Sequence, residues 1–218
     1  AGSDKYPGAG VLCTSGARHS GAGMVRSAVT GFPDVVAAQV RTDAYVVGPG
    51  LADEARLRQA VDRALASGRP VVMDAEALPH VEPGPVVITP HEGEFARLGF
   101  TIGSDRIAAV RAAAATLQVA VLLKGAVTVV AEPGGQVFLN AHSSPNLATA
   151  GSGDVLSGLL GGLLARHFID RAPDLPTMAR LAACAALIHG EAGRRAAFPA
   201  TAVDIADEVR AAVAWAAG

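Results

Sequence analysis

The feature that most constrains the fold is a series of short, wholly apolar segments that alternate with segments of helical periodicity. The short segments are continuous runs of Val, Ile and Leu, which is typical of strands buried on both faces of a parallel sheet. The sequence therefore predicts an α/β fold in which helices cover both faces of a mostly parallel central sheet. Four such strands are predicted at 44–47, 70–74, 86–89 and 119–123.

Turn residues and apolar spacing predict the remaining elements. The Glu-Pro-Gly-Gly sequence at 132–135 separates two apolar segments and predicts a hairpin between 127–131 and 136–139. In the segment 53–67, apolar residues recur at helical spacing and the pattern stops at Gly68, which is a typical C-terminal residue for a helix. Further helices are predicted at 95–98, 104–116, 152–166, 177–197 and 202–216.

Composition limits the functional classes that fit this chain. The 218 residues suit one large domain, and with 50% apolar residues but only 4% aromatic ones the core must consist of Ala, Val and Leu. No apolar run approaches the roughly 18–20 residues of a membrane span, and a net charge of −2 without a basic cluster argues against a nucleic-acid surface. Cys13 and Cys184 are expected to be reduced thiols, as in a cytosolic protein.

A glycine-rich loop precedes the most apolar helix. Gly151-Ser152-Gly153-Asp154 runs directly into that helix, so its backbone can approach a ligand while the first N–H groups of the helix point at an anion. Because Asp154 would repel a phosphate, a chemical role for it would be toward the neighbouring substrate, which suggests phosphoryl transfer to a small molecule. The competing interpretation is helix capping, with Ser152 as N-cap and Asp154 stabilising the dipole.

Other polar residues follow the predicted strands, where open α/β sheets bind ligands. Asp74, the turn at 89–94 with His91 and Glu94, and Lys124 all lie at such ends, although a capping role is an alternative for the acids. Lys124 is one of only two lysines, beside 16 arginines, which suggests that a compact ammonium group is needed there. Gly125 beside it would admit a nucleotide close to the backbone. His189, Gly190 and Glu191 are expected to be packing or surface residues.

In combination, these segments resemble the NAD(P)H-hydrate dehydratases of the ribokinase-like superfamily, from Ala1 to about Ala216. Gly-Ser-Gly-Asp occurs across ribokinase-like kinases, whereas Thr-Pro-His-x-Gly-Glu at 89–94, upstream of Lys-Gly at 124–125 and Asn-Leu-Ala at 146–148, narrows the choice to this family. Other matching segments are 2–9, 21–25, 47–50, 73–78 and 124–128. Glu92 stands where the family commonly has Pro, and Glu76 where it commonly has Asp.

The resemblance implies a three-layer sandwich and an enzyme that phosphorylates the hydroxyl of the S epimer of hydrated NADH or NADPH (NADHX or NADPHX). Phosphate then leaves and the nicotinamide is restored. ADP or ATP would be the co-substrate, with Mg²⁺, and ADP is favoured because bacterial members resemble ADP-dependent enzymes that release AMP and phosphate. The resemblance also implies the site residues. The catalytic residues are Asp154, Gly151, Ser152 and Gly153, and the hydrated dinucleotide contacts Ala9, Gly50, His91 and Asp154. The nucleotide contacts Lys124, Gly125, Ala126, Val127, Thr128 and Gly153, and the site is supported by Asp74, Glu94 and Asn146.

The resemblance also suggests a cytoplasmic homotetramer and an epimerase domain or partner. The sequence contains no cluster of Asp and Glu residues that would predict a metal site made of protein ligands alone. Residues 1–218 are expected to form a single dehydratase domain. The chain begins just after the family's first strand, and the connections at 29–33 and 100–104 are short for the family, so we expect residues to be missing at these points.

Two other functions remain open on the sequence. A kinase for a small alcohol of the hydroxymethylpyrimidine type would share the Gly-Ser-Gly-Asp loop but release a stable phosphorylated product. A non-catalytic nucleotide-binding module would bind nucleotide without releasing phosphate.

Overall fold

The structure, a computed structural model, describes residues 1–28, 31–37 and 41–218. The strands are β1 (Val25–Arg26), β2 (Val35–Val36), β3 (Tyr45–Val47), β4 (Val71–Met73), β5 (Val86–Ile88), β6 (Ala120–Leu123), β7 (Thr128–Ala131) and β8 (Val137–Asn140). The helices are α1 (Pro7–His19), α2 (Glu54–Ala66), α3 (Glu92–Arg97), α4 (Arg106–Leu117), α5 (Ser152–His167), α6 (Leu175–Arg195) and α7 (Ala202–Ala216). Short 3-10 helices lie at Ala75–His80 and Pro145–Ala148.

The central sheet has the strand order β3-β4-β5-β6-β7-β8. β3 to β6 are parallel, whereas β7 pairs antiparallel with both β6 and β8. The mostly parallel sheet and the hairpin predicted from the sequence are therefore confirmed.

Each face of the sheet has its own hydrophobic core, because the strands alternate side chains between the two faces. Val72, Val87 and Leu122 pack on one face against α5, α6 and α7. Val71 and Ile88 belong to the core on the opposite face, which also contains residues of α2, α3 and α4. This arrangement is the three-layer sandwich that the family resemblance implies.

Local capping explains where the helices begin and end. The Asp53 carboxylate accepts a hydrogen bond from Arg56 N at 2.8 Å, and Asp105 does the same for Ala108 N at 2.9 Å. Each N-cap satisfies a backbone N–H group that has no partner within the helix. The predicted helix boundaries agree with the structure to within about two residues, apart from α3, which begins at Glu92, ahead of the predicted Phe95.

Helix α1 was not predicted from the residues, and glycine determines how it packs. A Cβ on Gly158 would lie 1.9 Å from the Cys13 carbonyl oxygen, and one on Gly16 would lie 2.2 Å from the Val155 carbonyl oxygen. A Cβ on Gly162 would lie 1.9 Å from Ser20 Oγ. Glycine at these positions allows the backbones of α1 and α5 to approach directly.

Several smaller features complete the fold. The two-residue strands β1 and β2 pair in parallel outside the main sheet and were not predicted. The connection at 29–33 lies partly outside the described residues. Cys13 is buried and Cys184 is exposed, both as free thiols. Among the described residues, no helix is long and apolar enough to cross a bilayer.

Candidate active site

A cavity of about 650 Å³ opens at the carboxyl ends of the parallel strands. Residues that follow β4, β5 and β6 line one side of it, and the loop before α5 lines the other. The sheet therefore brings together the polar strand ends that the sequence placed far apart. The predicted residues that line the cavity are Asp74, His91, Glu94, Lys124, Gly125, Thr128, Gly151, Ser152, Gly153 and Asp154.

The glycine loop offers backbone donors to this cavity. Gly151 has a φ of 91°, a left-handed conformation that favours glycine, and α5 begins at the next residue. Ser152 N donates to Thr149 O at 3.3 Å, and Asp154 N donates to Gly151 O at 3.1 Å. Within the described part of the chain, the N–H groups of Gly151 and Gly153 have no protein acceptor. The first turn of α5 therefore presents two unpaired donors, as expected of an anion site.

The Ser152 side chain has a structural role in this loop. Its hydroxyl donates to Leu147 O at 2.6 Å, which ties the start of α5 to the preceding 3-10 helix. Asn146, in that same 3-10 helix, donates through Nδ2 to Gly193 O and Ala196 O. Asn146 does not line the cavity, so it supports the loop by joining it to α6.

The surroundings of Asp154 raise the pKa of its carboxyl group into the neutral range. Burial raises its pKa to about 7, and the nearby charge of Asp74 adds to this effect while Lys124 opposes it. A carboxyl group with this pKa is an effective proton acceptor near neutral pH. Asp154 Oδ2 also lies near the Cβ position of Gly151, at 3.8 Å, so the carboxyl stands beside the backbone donors.

An ion pair between the partly buried Lys124 and the buried Asp74 lines the cavity. Lys124 Nζ lies 2.8 Å from Asp74 Oδ1 and 3.7 Å from Glu94 Oε2. Ser157 Oγ donates to Asp74 Oδ2 at 2.7 Å, so both carboxylate oxygens have partners. Burial alone would lower the pKa of Lys124, but the charges of Asp74 and Glu94 outweigh it and the pKa is raised. Lys124 is therefore a fixed cation, and its Nζ lies 3.3 Å from the Cβ position of Gly153.

His91 and Glu94 form the capping box of α3. His91 Nδ1 accepts from Gly93 N at 3.0 Å and from Glu94 N at 3.2 Å, while Glu94 Oε2 accepts from His91 N at 2.7 Å. Since Nδ1 is an acceptor, the ring proton resides on Nε2. The capping interpretation is thus confirmed for Glu94, whereas the role of His91 as N-cap was not predicted, and both residues also line the cavity.

Besides Asn146, four predicted residues lie outside the cavity lining. Ala9 and Gly50 meet each other, because a Cβ on Gly50 would lie 2.6 Å from Ala9 Cβ and 2.9 Å from Tyr6 O. Ala126 and Val127 form the turn before β7, and Val127 is exposed. None of these four lines the cavity.

Sequence reasoning missed three residues near the site. His189 was expected to be a packing or surface residue, but it is buried, lines the cavity, and has a pKa lowered to about 4 by burial. Ser157 and Arg106 were not singled out. Among the described residues, the buried side-chain polar atoms without a hydrogen-bond partner are Glu76 Oε2, Arg106 Nε and His189 Nε2. Glu76, Arg106 and His189 all lie in or beside the cavity. Buried polar atoms without a hydrogen-bond partner are uncommon in folded proteins.

Comparison with known proteins identifies the family. The family model described as NAD(P)H-hydrate dehydratase matches residues 1–212. The chain belongs to this family. Its resemblance to NAD(P)H-hydrate dehydratases is confirmed, as is the ribokinase-like α/β fold.

Individual relatives agree with the family match. The bifunctional NAD(P)H-hydrate repair enzyme of Mycobacterium tuberculosis is 47% identical over 187 residues, covering 76% of this chain and 40% of the relative. The ADP-dependent (S)-NAD(P)H-hydrate dehydratase of Bacillus subtilis is 36% identical over 197 residues, covering 77% of this chain and 71% of the relative. A solved structure of the B. subtilis ADP/ATP-dependent NAD(P)H-hydrate dehydratase, co-crystallised with ATP and Mg²⁺, has a TM-score of 0.82 and 30% identity, covering 99% of this chain and 87% of that one. The chain spans about two fifths of the length of the bifunctional relative.

Proposed function

We propose that residues 1–218 form one dehydratase domain that converts (S)-NADHX or (S)-NADPHX to NADH or NADPH, with ADP as co-substrate and AMP and phosphate as products. The observation that carries this proposal is Asp154, a half-buried carboxyl group with a pKa of about 7 that stands beside the unpaired N–H groups of Gly151 and Gly153. Membership of the NAD(P)H-hydrate dehydratase family supports this choice of substrate.

In the first proposed step, the β-phosphoryl group of ADP is transferred to the hydroxyl oxygen of the hydrate. Asp154 orients this hydroxyl and accepts its proton, while AMP departs. Phosphoryl transfer through a loose transition state depends on positioning and charge stabilisation more than on a strong base. The N–H groups of Gly151 and Gly153 would stabilise the charge that develops on the phosphoryl oxygens, because they are fixed before the reaction begins.

In the second step, the carbon–oxygen bond breaks and phosphate leaves with the bonding electrons. The ring then loses a proton from the neighbouring carbon, so that hydroxyl and hydrogen together amount to the water that dehydration removes. A phosphorylated oxygen is a much better leaving group than hydroxide, which is why the nucleotide is consumed.

The nucleotide is proposed to lie along Lys124–Thr128 and Gly153. Lys124 Nζ is the cation that the cavity offers to its phosphates, held in place by Asp74. Among the cavity-lining residues, three carboxyl groups (Asp74, Glu94 and Asp154) outnumber this single ammonium group. An anionic nucleotide therefore needs additional positive charge.

Mg²⁺ fits this need. When bound, it would neutralise charge on the nucleotide phosphates, as it does in most phosphoryl-transfer enzymes. Among the described residues, no three His, Cys, Asp or Glu side chains form a group that could hold a metal ion. The nucleotide's own phosphates are accordingly the proposed ligands for the ion.

Ala9, Gly50 and His91, with Asp154, are proposed to contact the hydrated dinucleotide. His91 supports this assignment because its ring borders the cavity and is exposed, with Nδ1 used in capping and Nε2 3.5 Å from Glu94 Oε1. Ala9 and Gly50 lie against each other at the start of α1, and a larger side chain at residue 50 would collide with Ala9 and Tyr6.

The decisive experiment is a repair assay with purified (S)-NADHX, Mg²⁺ and either ADP or ATP. We expect the absorbance of NADH to appear together with equal amounts of AMP and phosphate when ADP is supplied, and more slowly with ATP. The R epimer serves as the matched control and should remain unchanged. No recovery of NADH with either nucleotide would overturn the proposal, and a stable phosphorylated product would indicate a small-molecule kinase.

We also propose that the protein is a cytoplasmic homotetramer that works with an epimerase domain or partner. The support is the family resemblance and the bifunctional relatives, which are named as repair enzymes and are longer than this chain. Sedimentation velocity on the purified protein tests the tetramer.

A further inference from the structure

Gly125 is covered by the guanidinium group of Arg106, a residue 19 positions earlier in the chain. A Cβ on Gly125 would lie 2.4 Å from Arg106 Nη2 and 3.2 Å from Cζ, far inside van der Waals contact. The φ of Gly125 is not in the left-handed region, so backbone conformation does not require glycine here. The guanidinium group of Arg106 occupies the space that a larger side chain at residue 125 would fill.

Arg106 joins two segments that border the cavity. Its Nη2 donates to Lys124 O at 2.8 Å, and its Nη1 donates to Glu92 Oε1 at the start of α3. Lys124 N in turn donates to Pro90 O at 2.9 Å. The guanidinium group therefore fixes the Lys124–Gly125 peptide relative to the turn that carries His91 and Glu94.

The placement of Arg106 is unfavourable for stability alone. Its Nε is buried and has no hydrogen-bond partner among the described residues, and an unpaired buried donor destabilises the folded state. Glu92, its charge partner, is exposed, so that ion pair contributes little to stability. An arginine kept in such a position points to a role beyond the packing of α4.

We propose that Arg106 is a positioning residue for the nucleotide: it holds the Lys124–Gly125 peptide in the conformation that binds the nucleotide, and residue 125 is glycine because the arginine needs the space. This inference rests on the proposed function, since it concerns the nucleotide segment of the same site. Arg106 itself does not line the cavity and acts through Lys124 and Gly125.

The test is a double-mutant cycle on nucleotide affinity, measured by calorimetry with ADP and Mg²⁺, with no turnover required. Arg106→Ala should weaken ADP binding by about tenfold or more, the effect of losing a charged hydrogen bond. Gly125→Ala should weaken it to a similar extent, because its methyl group displaces the guanidinium. In the Arg106→Ala background, the Gly125→Ala change should then have no further effect beyond about twofold.

A tenfold further loss in the double mutant would overturn the proposal, because Gly125 would then be required by the nucleotide itself. An Arg106→Ala variant that binds ADP as tightly as the unmodified protein would also overturn it. Arg111→Gln, an exposed arginine on the same helix, is the matched control for loss of charge and should leave affinity unchanged.

Steady-state kinetics separates positioning from general damage. In the repair assay, Arg106→Ala should raise the KM for ADP while leaving the KM for (S)-NADHX within about twofold. An equal rise in both, with a lowered Tm, would mean a structural role only and would overturn the proposal. Binding of ADP without any repair activity would refute the proposed function and leave the inference about Arg106 intact.

Discussion

The two ends of the central sheet carry the same kinds of charged side chains in opposite surroundings. At the amino end, Arg41 lies 3.0 Å from both Asp43 and Asp170, with side chains that are 57% exposed for Arg41 and 82% for Asp170. At the carboxyl end, Lys124 lies 2.8 Å from Asp74, whose side chain is 3% exposed. Water screens the first set of charges more than the second. The neighbouring carboxylates raise the pKa of Arg41, which stays a cation, whereas at the carboxyl end burial and the charge of Asp74 raise the pKa of Asp154 to about 7.

Three Asp→Asn substitutions make this comparison testable, since each replaces one carboxylate by an amide of the same shape. The largest effect is expected for Asp154→Asn. Removing the proton acceptor should lower kcat by about 10²–10⁴-fold, whereas ADP affinity by calorimetry should stay close to that of the unmodified protein. Nearly normal turnover in this variant would remove Asp154 from the mechanism.

An intermediate effect is expected for Asp74→Asn, in the form of a pH shift. Because Asp154 has a pKa of about 7, repair activity should fall as the pH drops through 7. Removing the Asp74 charge lowers the pKa of Asp154, so the acidic limb of the kcat–pH profile should move to lower pH. A limb that stays in place would show that Asp74 does not set the ionisation of Asp154.

Stability provides an independent measure of the same pKa. The folded-state pKa of Asp154 is raised above the ordinary value of 3.8, so between about pH 4 and 7 the folded protein binds the extra proton and this group makes stability fall as pH rises. Asp154→Asn should therefore stabilise the protein more at pH 8 than at pH 4. Urea unfolding at the two pH values measures the difference, and equal effects at both would contradict the raised pKa.

The smallest effect is expected for Asp170→Asn at the amino end. This change removes an exposed partner of Arg41, so the repair rate should stay within about twofold of the unmodified protein and Tm should not change measurably. A shift of the kcat–pH profile comparable to that of Asp74→Asn would mean that burial is not what distinguishes the two ends of the sheet.

Strands and helices with a clear local pattern of apolar residues could be predicted from the sequence. The strands β4, β5 and β6 are buried on both faces, so every residue in them is apolar and the pattern is unambiguous. Asp74 and Lys124 were placed at strand ends correctly, and because parallel strands end at one edge, their convergence followed from topology. Helix α1 escaped prediction because its glycines, among them Gly10 and Gly16, lower helix propensity, and its stability comes from packing against α5.

Residues that act through distant partners could not be predicted. Arg106 donates a hydrogen bond to the carbonyl oxygen of Lys124, 18 positions later in the chain. Ser157 donates a hydrogen bond to Asp74, 83 positions earlier. No rule of sequence spacing connects the residues of either pair. His189 lies in a long apolar helix where a histidine is usually a packing residue. The family motif assigned Ala9 and Gly50 to the substrate, and the structure shows only that they contact each other.

The glycine contacts between α1 and α5 determine which parts of the site can adjust to a ligand. With Gly16, Gly158 and Gly162 leaving no gap between the two backbones, these helices have to move as one rigid body. The start of α1 beside Gly50 and the loop at 151–154 are thereby held at a fixed separation. We therefore expect the cavity to adjust through the other segments that line it, among them the Lys124–Gly125 peptide, which the side chains of Arg106 and Glu92 join to α3.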